Sequence, residues 1–174
     1  MSLPEGNSPA VLSSFERLSK SANSLNIASD RLNEAIEHLD EALKKLNLGI
    51  SSWVSFYGWD DGPFSEVHEI GYSKINSKWG IGIKRIIEDQ TQPQGYQTDE
   101  TEWQFSEAPR DMRIQAIPHL HKVIDKLNED AEKTTQVITE KTTDAEQLAK
   151  AITSIVDKPA SATLTLRPVK GGKQ

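Results

Sequence analysis

The sequence predicts an α+β protein in which two long heptad-patterned helices, paired as an antiparallel coiled-coil-like hairpin, flank a small antiparallel sheet of three to four strands. Three observations carry this expectation. Apolar residues step by three and four from Phe15 to Leu46, and again from Ile117 to Ile155. Between those stretches the pattern changes to strict alternation, the signature of a half-buried strand. All four tryptophans, Trp53, Trp59, Trp79 and Trp103, fall in that middle stretch.

The first helix is expected over residues 10–48. Leu18, Leu25, Leu32, Leu39 and Leu46 occupy one core position of its heptads, and Phe15, Ala22, Ser29, Ile36 and Leu43 the other. Ala28, Ala35 and Ala42 widen the apolar face and permit close helix approach. Gly49 is expected to close the helix, since a residue without a Cβ adopts the left-handed cap conformation at no steric cost.

The sheet is expected over residues 50–106, with strands at 50–59, 66–75, 78–88 and a short one at 102–105. Asp60-Asp61-Gly62-Pro63 and Asn76-Ser77 are turn-forming clusters, which makes the first three strands a meander of hairpins. Residues 89–101, rich in Gln, Pro, Gly and acids, are expected to form a loop.

A second helical region follows Ala108-Pro109 over residues 109–156, with Pro118 at the first turn of its main section, where a missing N–H costs nothing. Its heptads place Ile117, Ile124, Ala131, Ile138, Ala145 and Ile152 at one core position, and Leu120, Leu127, Thr134, Lys141, Leu148 and Ile155 at the other. The hairpin reading sets Ser29 against Thr134 and Lys141, a polar layer that lowers stability while setting register. The rival arrangement has chains pairing as dimers, so that the same stripes form a four-helix bundle. Residues 1–9 are expected to be a disordered leader and 10–156 a single domain. The tail, 157–174, holds an alternating Ala162-Thr163-Leu164-Thr165-Leu166, an optional edge strand before disorder.

Composition narrows the function. A net charge of -6 disfavours a phosphate backbone or an anionic bilayer, which bind clustered Lys and Arg. With no cysteine, disulfides, thiolate catalysis and Cys-ligated metals are excluded. The first sixteen residues contain no Lys or Arg and no apolar run is long enough to span a bilayer, so the expected location is the cytoplasm.

Local motifs lead to bland readings. His68-Glu69 opens like a zinc-protease signature but has no second histidine and lies in a strand. His119 and His121 point to opposite sides of a helix and cannot chelate one ion together. Gly80-Ile81-Gly82 continues as a strand instead of opening a helix, unlike a nucleotide loop. Its glycines are expected to leave bare backbone against which Trp53 or Tyr57 packs. Lys74, Lys78, Lys84 and Arg85 gather on one hairpin, with Arg110 and Arg113 nearby in the next segment, and together could form a local basic patch.

Trp79-Gly80-Ile81-Gly82-Ile83, followed by Trp103-Gln104-Phe105-Ser106-Glu107-Ala108-Pro109-Arg110, resembles a module of small uncharacterised bacterial proteins. The motifs lie in residues 79–127 and the likeness reaches back to about Gly71. That resemblance implies a bacterial-type origin and the same fold, and it brings no activity.

The expected function is a non-catalytic protein-interaction or scaffold module, oligomeric through its heptad helices. No cofactor or metal is expected, and the partner is another protein or a second copy. The interaction candidates are Trp53, Tyr57, Trp59, Trp79 and Trp103 on the sheet, with Leu18, Leu25, Leu32, Leu39 and Lys141 on the helices. The alternatives are a small ligand or peptide in an aromatic-lined sheet groove, and weak nucleic-acid binding through the hairpin lysines.

Overall fold

A computed structural model describes residues 9–91, 95 and 97–157. Residues 1–8 of the expected leader at 1–9, and the edge strand at 162–166, lie outside the described residues, while Pro9 already belongs to the first helix. Helix α1 (Pro9–Leu46) precedes strands β1 (Ser52–Asp60), β2 (Phe64–Ile75), β3 (Lys78–Asp89) and β4 (Gln97–Gln104). A 3-10 turn at Phe105–Glu107, helix α2 (Arg110–Ala116), a second 3-10 turn at Ile117–His119 and helix α3 (Leu120–Val156) complete the order. The chain divides into two compact units, Met1–Glu132 and Lys133–Gln174.

The strands form one antiparallel meander in the order β1-β2-β3-β4. Asn76 and Ser77 both take positive φ, 48° and 68°, and join Ile75 to Lys78 by a two-residue turn whose twist matches the flanking strands. At the other end the Asp60 side chain accepts the Gly62 N–H at 2.8 Å, and Gly62 turns through a φ of 94°. The β1/β2 ladder breaks between Ser55 and Tyr57, leaving Phe56 as the extra residue of a bulge. Helix α1 ends on Asn47 in the left-handed conformation, φ 49°, with its N–H donated to the Lys44 carbonyl at 3.1 Å. The expected cap, Gly49, has positive φ two residues later.

Alternation along the ladder puts Ile70, Tyr72, Ile81 and Ile83 on one face, and all four are buried. They form a single core with Ile36 and Leu43 of α1, Met112 and Ala116 of α2, and Val123 and Leu127 of α3. Leu32 and Leu39 pack at its margin.

This arrangement overturns the expected fold class. The protein is mixed α+β with one long N-terminal helix, a C-terminal helix and a four-stranded antiparallel sheet, but two heptad helices do not flank that sheet as a hairpin. The stripe on α1 joins the core only from Leu32 onward. Farther up, Phe15 and Leu18 are 68% and 63% exposed. On α3 the buried line runs through Leu120, Val123 and Leu127, and Ile124 is exposed, so the core face is rotated from the expected heptad seam. Within the second unit, Ile138, Leu148 and Ile152 are all exposed.

Two boundaries also move. The expected short last strand is the eight-residue β4, which begins at Gln97, so Gln97 to Thr101 pair with Asp89 to Arg85 and do not belong to the loop. Pro118 sits in the 3-10 turn between α2 and α3, where the second helical region breaks before its main section.

Candidate interaction surfaces

The register places the aromatic candidates on different surfaces. On the helix-side face, beyond the core, Tyr57 lies opposite His68 and Trp59 opposite Glu66. The bulge brings both Phe56 and Tyr57 against the His68 ring, with centroids 5.8 Å and 4.6 Å away. Phe56 also reaches His119, 6.1 Å between centroids, so His119 is a half-buried ring neighbour.

Beside these rings one carboxylate oxygen serves two partners. Glu66 Oε1 accepts from Arg85 Nε at 2.6 Å and lies 2.6 Å from His68 Nε2. The Arg85 hydrogen bond, then that of His68, holds the Glu66 carboxyl below its ordinary range, and the same contact raises Arg85. An ionised carboxylate saturated in this way serves charge pairing across β2 and β3.

Trp53 is on the opposite face, laid flat on Gly71. A Cβ built at Gly71 would stand 2.5 Å from the Trp53 ring and 2.3 Å from the Ser52 carbonyl oxygen. The glycine under the indole is therefore Gly71, and Gly80 and Gly82 are not, contrary to expectation. Gly82 instead makes room for Ile75, and Gly80 for the side chains of Gln104 and Asp40. Lys84 Nζ sits 4.5 Å over the Trp53 ring and pairs with Glu69 at 3.3 Å and Glu100 at 3.6 Å. With Arg85 on Glu66, two of the four hairpin cations are paired locally with carboxylates.

Trp79 stacks on Tyr72 at 5.5 Å beside the last turns of α1, and the Tyr72 hydroxyl is raised, chiefly by burial. Trp103 is half-buried opposite Ile83. The five candidate rings therefore do not line one groove. An open cleft between α1 and β3 does exist, lined by Glu37, Asp40, Lys44, Lys78, Trp79 and Gln104. Its central carboxylate is already engaged: Asp40 accepts the Ile81 N–H at 2.6 Å and pairs with Lys44 at 2.9 Å, which raises the Lys44 pKa.

On the helices, Leu18 and Leu25 are exposed, while Leu32 and Leu39 are half-buried against the core. Lys141 is exposed and lies 3.4 Å from Asp144, so it borders no buried polar layer. Ser29 turns its hydroxyl back to the Leu25 carbonyl at 2.9 Å. Sequence reasoning missed the pairing of Arg113 with Asn33, which joins α1 to α2 through a 2.6 Å bond from Arg113 Nη1 to Asn33 Oδ1. An uncharged Asn beside a heptad core position, and an Arg in a short helix, carry no spacing that would pair them.

No family model, no curated protein and no solved structure matches this chain. Among the described residues no group of three or more His, Cys, Asp or Glu could hold a metal, and no helix is long and apolar enough to cross a membrane.

Proposed function

We propose that this protein is a non-catalytic interaction module that associates with further copies of itself through the apolar stripe of α1. The observation that supports this reading is the exposure of Phe15, Leu18 and Leu25 at heptad spacing on one continuous helix. Each such side chain contributes roughly 1.5–3 kcal/mol when removed from water, so three left bare amount to a strong drive for a helical partner. The flanks favour pairing: Ser14, Ser21, Ala28, Ser19 and Asn26 border the stripe, small or uncharged residues that let two helices approach without like-charge repulsion. The pairing is intermolecular, one copy's stripe against another's, and the sheet remains at the surface of each copy.

Light scattering coupled to size exclusion, run across a protein concentration series, tests this. A dimer or higher oligomer is expected for the native chain, with a shift toward monomer in Leu18→Glu/Leu25→Glu. Both positions lie outside the core, so circular dichroism should show the sheet unit still folded. A native chain that stays monomeric at every concentration overturns the proposal.

A further inference from the structure

A hollow of about 200 Å³ lies between α1 and α2. Its walls are mostly apolar: Leu25, Ala28 and Leu32 on the α1 side, and the exposed Ile114 on the α2 side. Arg110 and Arg113 complete the lining, and no carboxylate of the described residues belongs to it. The Ser29 hydroxyl, also at the hollow, is turned back to the Leu25 carbonyl.

The two arginines differ from the paired cations elsewhere in the fold. Lys44, Lys84, Arg85 and Lys126 each meet a carboxylate. Among the described residues Arg110 and Arg113 meet none. The α1 side chains that face them are neutral: Arg113 Nη1 donates to Asn33 Oδ1 at 2.6 Å, and Arg110 Nη2 to Asn26 Oδ1 at 3.3 Å. Arg113 is only 9% exposed, and its Nε has no acceptor. A guanidinium held out of water with no counter-charge and one orphaned donor is costly until an anion completes it. Asn33 takes Nη1, so the edge left for an acceptor is Nε with Nη2, the fork that binds both oxygens of one carboxylate in parallel.

We infer that this hollow is a binding site for a small carboxylic acid with an apolar body. The carboxylate sits on the Nε and Nη2 edge of Arg113 with Arg110 beside it, and the hydrocarbon lies between Leu25, Leu32 and Ile114. A phosphate suits the place less well, because its additional oxygens would face leucine and isoleucine side chains that offer no donor. The volume is below the roughly 300 Å³ at which pockets begin to hold drug-sized molecules, so the acid is a short one. The inference does not rest on self-association through α1: Leu25 belongs to both surfaces, but Arg113 carries this one.

Titration of the full-length chain with sodium octanoate, followed through the amide resonances of Ala28, Ser29 and Ile114, tests the inference. It is run on the native chain and on Leu18→Glu, which loosens the α1 pairing without touching the hollow. Saturable shifts are expected, with binding about tenfold or more weaker for 1-octanol, which lacks the charge, and for acetate, which lacks the apolar body. Arg113→Met should weaken octanoate about tenfold or more with its circular dichroism unchanged. Arg110→Gln, at an exposed position, should weaken it about threefold. The inference is overturned if octanoate saturates these amides in neither chain, or if 1-octanol or acetate binds as tightly as octanoate. Native affinity in Arg113→Met, or in Arg110→Gln where Arg113→Met does not fold, also overturns it.

Discussion

Asp40 Oδ1, on α1, accepts the backbone N–H of Ile81, on β3, at 2.6 Å. Strand β4 reaches only as far as Gly82, which pairs with Gln104, so Ile81 lies one residue beyond the ladder. The helix thus supplies the acceptor that the neighbouring strand does not, and it does so from the same turns that bury Ile36 and Leu43.

Asp40→Ala should therefore destabilise the sheet unit by about 1–3 kcal/mol, the cost of leaving a partly buried donor unsatisfied. Asp40→Asn keeps an oxygen in place and should cost less, while the Lys44 pKa returns toward its ordinary value because its first cause, the Asp40 hydrogen bond, is weakened. Urea denaturation and a titration of the Lys44 side chain by nuclear magnetic resonance check the two parts separately.

Gly71→Ala should be among the most damaging single-methyl changes in the chain. The added Cβ meets Ser52 carbonyl oxygen at 2.3 Å as well as the indole of Trp53, so overpacking of roughly 1–3 kcal/mol or more is expected. Removing the ring in Gly71→Ala/Trp53→Ala should not restore stability, because the backbone clash stays. Gly58→Ala is the control: its Cβ would enter open space, and the denaturation midpoint should barely move.

Asn33→Leu should cost about 1.5–3 kcal/mol by withdrawing the acceptor from the charged group of Arg113, a residue only 9% exposed. Arg113→Met should cost less than Asn33→Leu, since no buried charge is then left behind. The reverse ranking in chemical denaturation would mean that the aliphatic packing of Arg113 matters more than its bond to Asn33.

Acid should act partly through Glu66. Its folded-state pKa lies below the ordinary 4.5, first through Arg85 and then through His68, so its contribution is fully present above 4.5 and is lost as pH falls through the depressed value. Arg85→Met should flatten the fall of unfolding free energy with acidification below pH 4.5, relative to the native chain, and should lower stability at neutral pH. Parallel curves for the two proteins would show that Glu66 titrates alike in the folded and unfolded states.

Much of the local structure was legible because it is set by neighbours in the chain. Asn76-Ser77 and Asp60-Asp61-Gly62 turn where their side chains and positive φ values require it. Trp79, Ile81 and Ile83 follow the alternation that puts the last two in the core. The start of β4 was misplaced because Gln97 to Glu102 are polar on both faces, and alternation is invisible where neither face is buried.

The candidate surfaces were less legible. Tryptophans close together in sequence lie on opposite faces of the sheet: Trp53 packs on Gly71, while Trp59 stands opposite Glu66 across a bulge that no motif announced. Asn33 and Arg113 meet across 80 residues of chain.

Sequence alone determined α1 and its apolar stripe, the first three strands and the turns between them, since each depends on periodicity and on the conformational preferences of nearby residues. Only the tertiary structure decided what the stripe faces. A stripe records that one side of a helix is apolar and leaves open whether another helix, a sheet or a second copy covers it. Here the turns from Leu32 to Leu43 pack into the core that also holds Ile70, Tyr72, Ile81 and Ile83 of the sheet, while Leu18 and Leu25 are exposed.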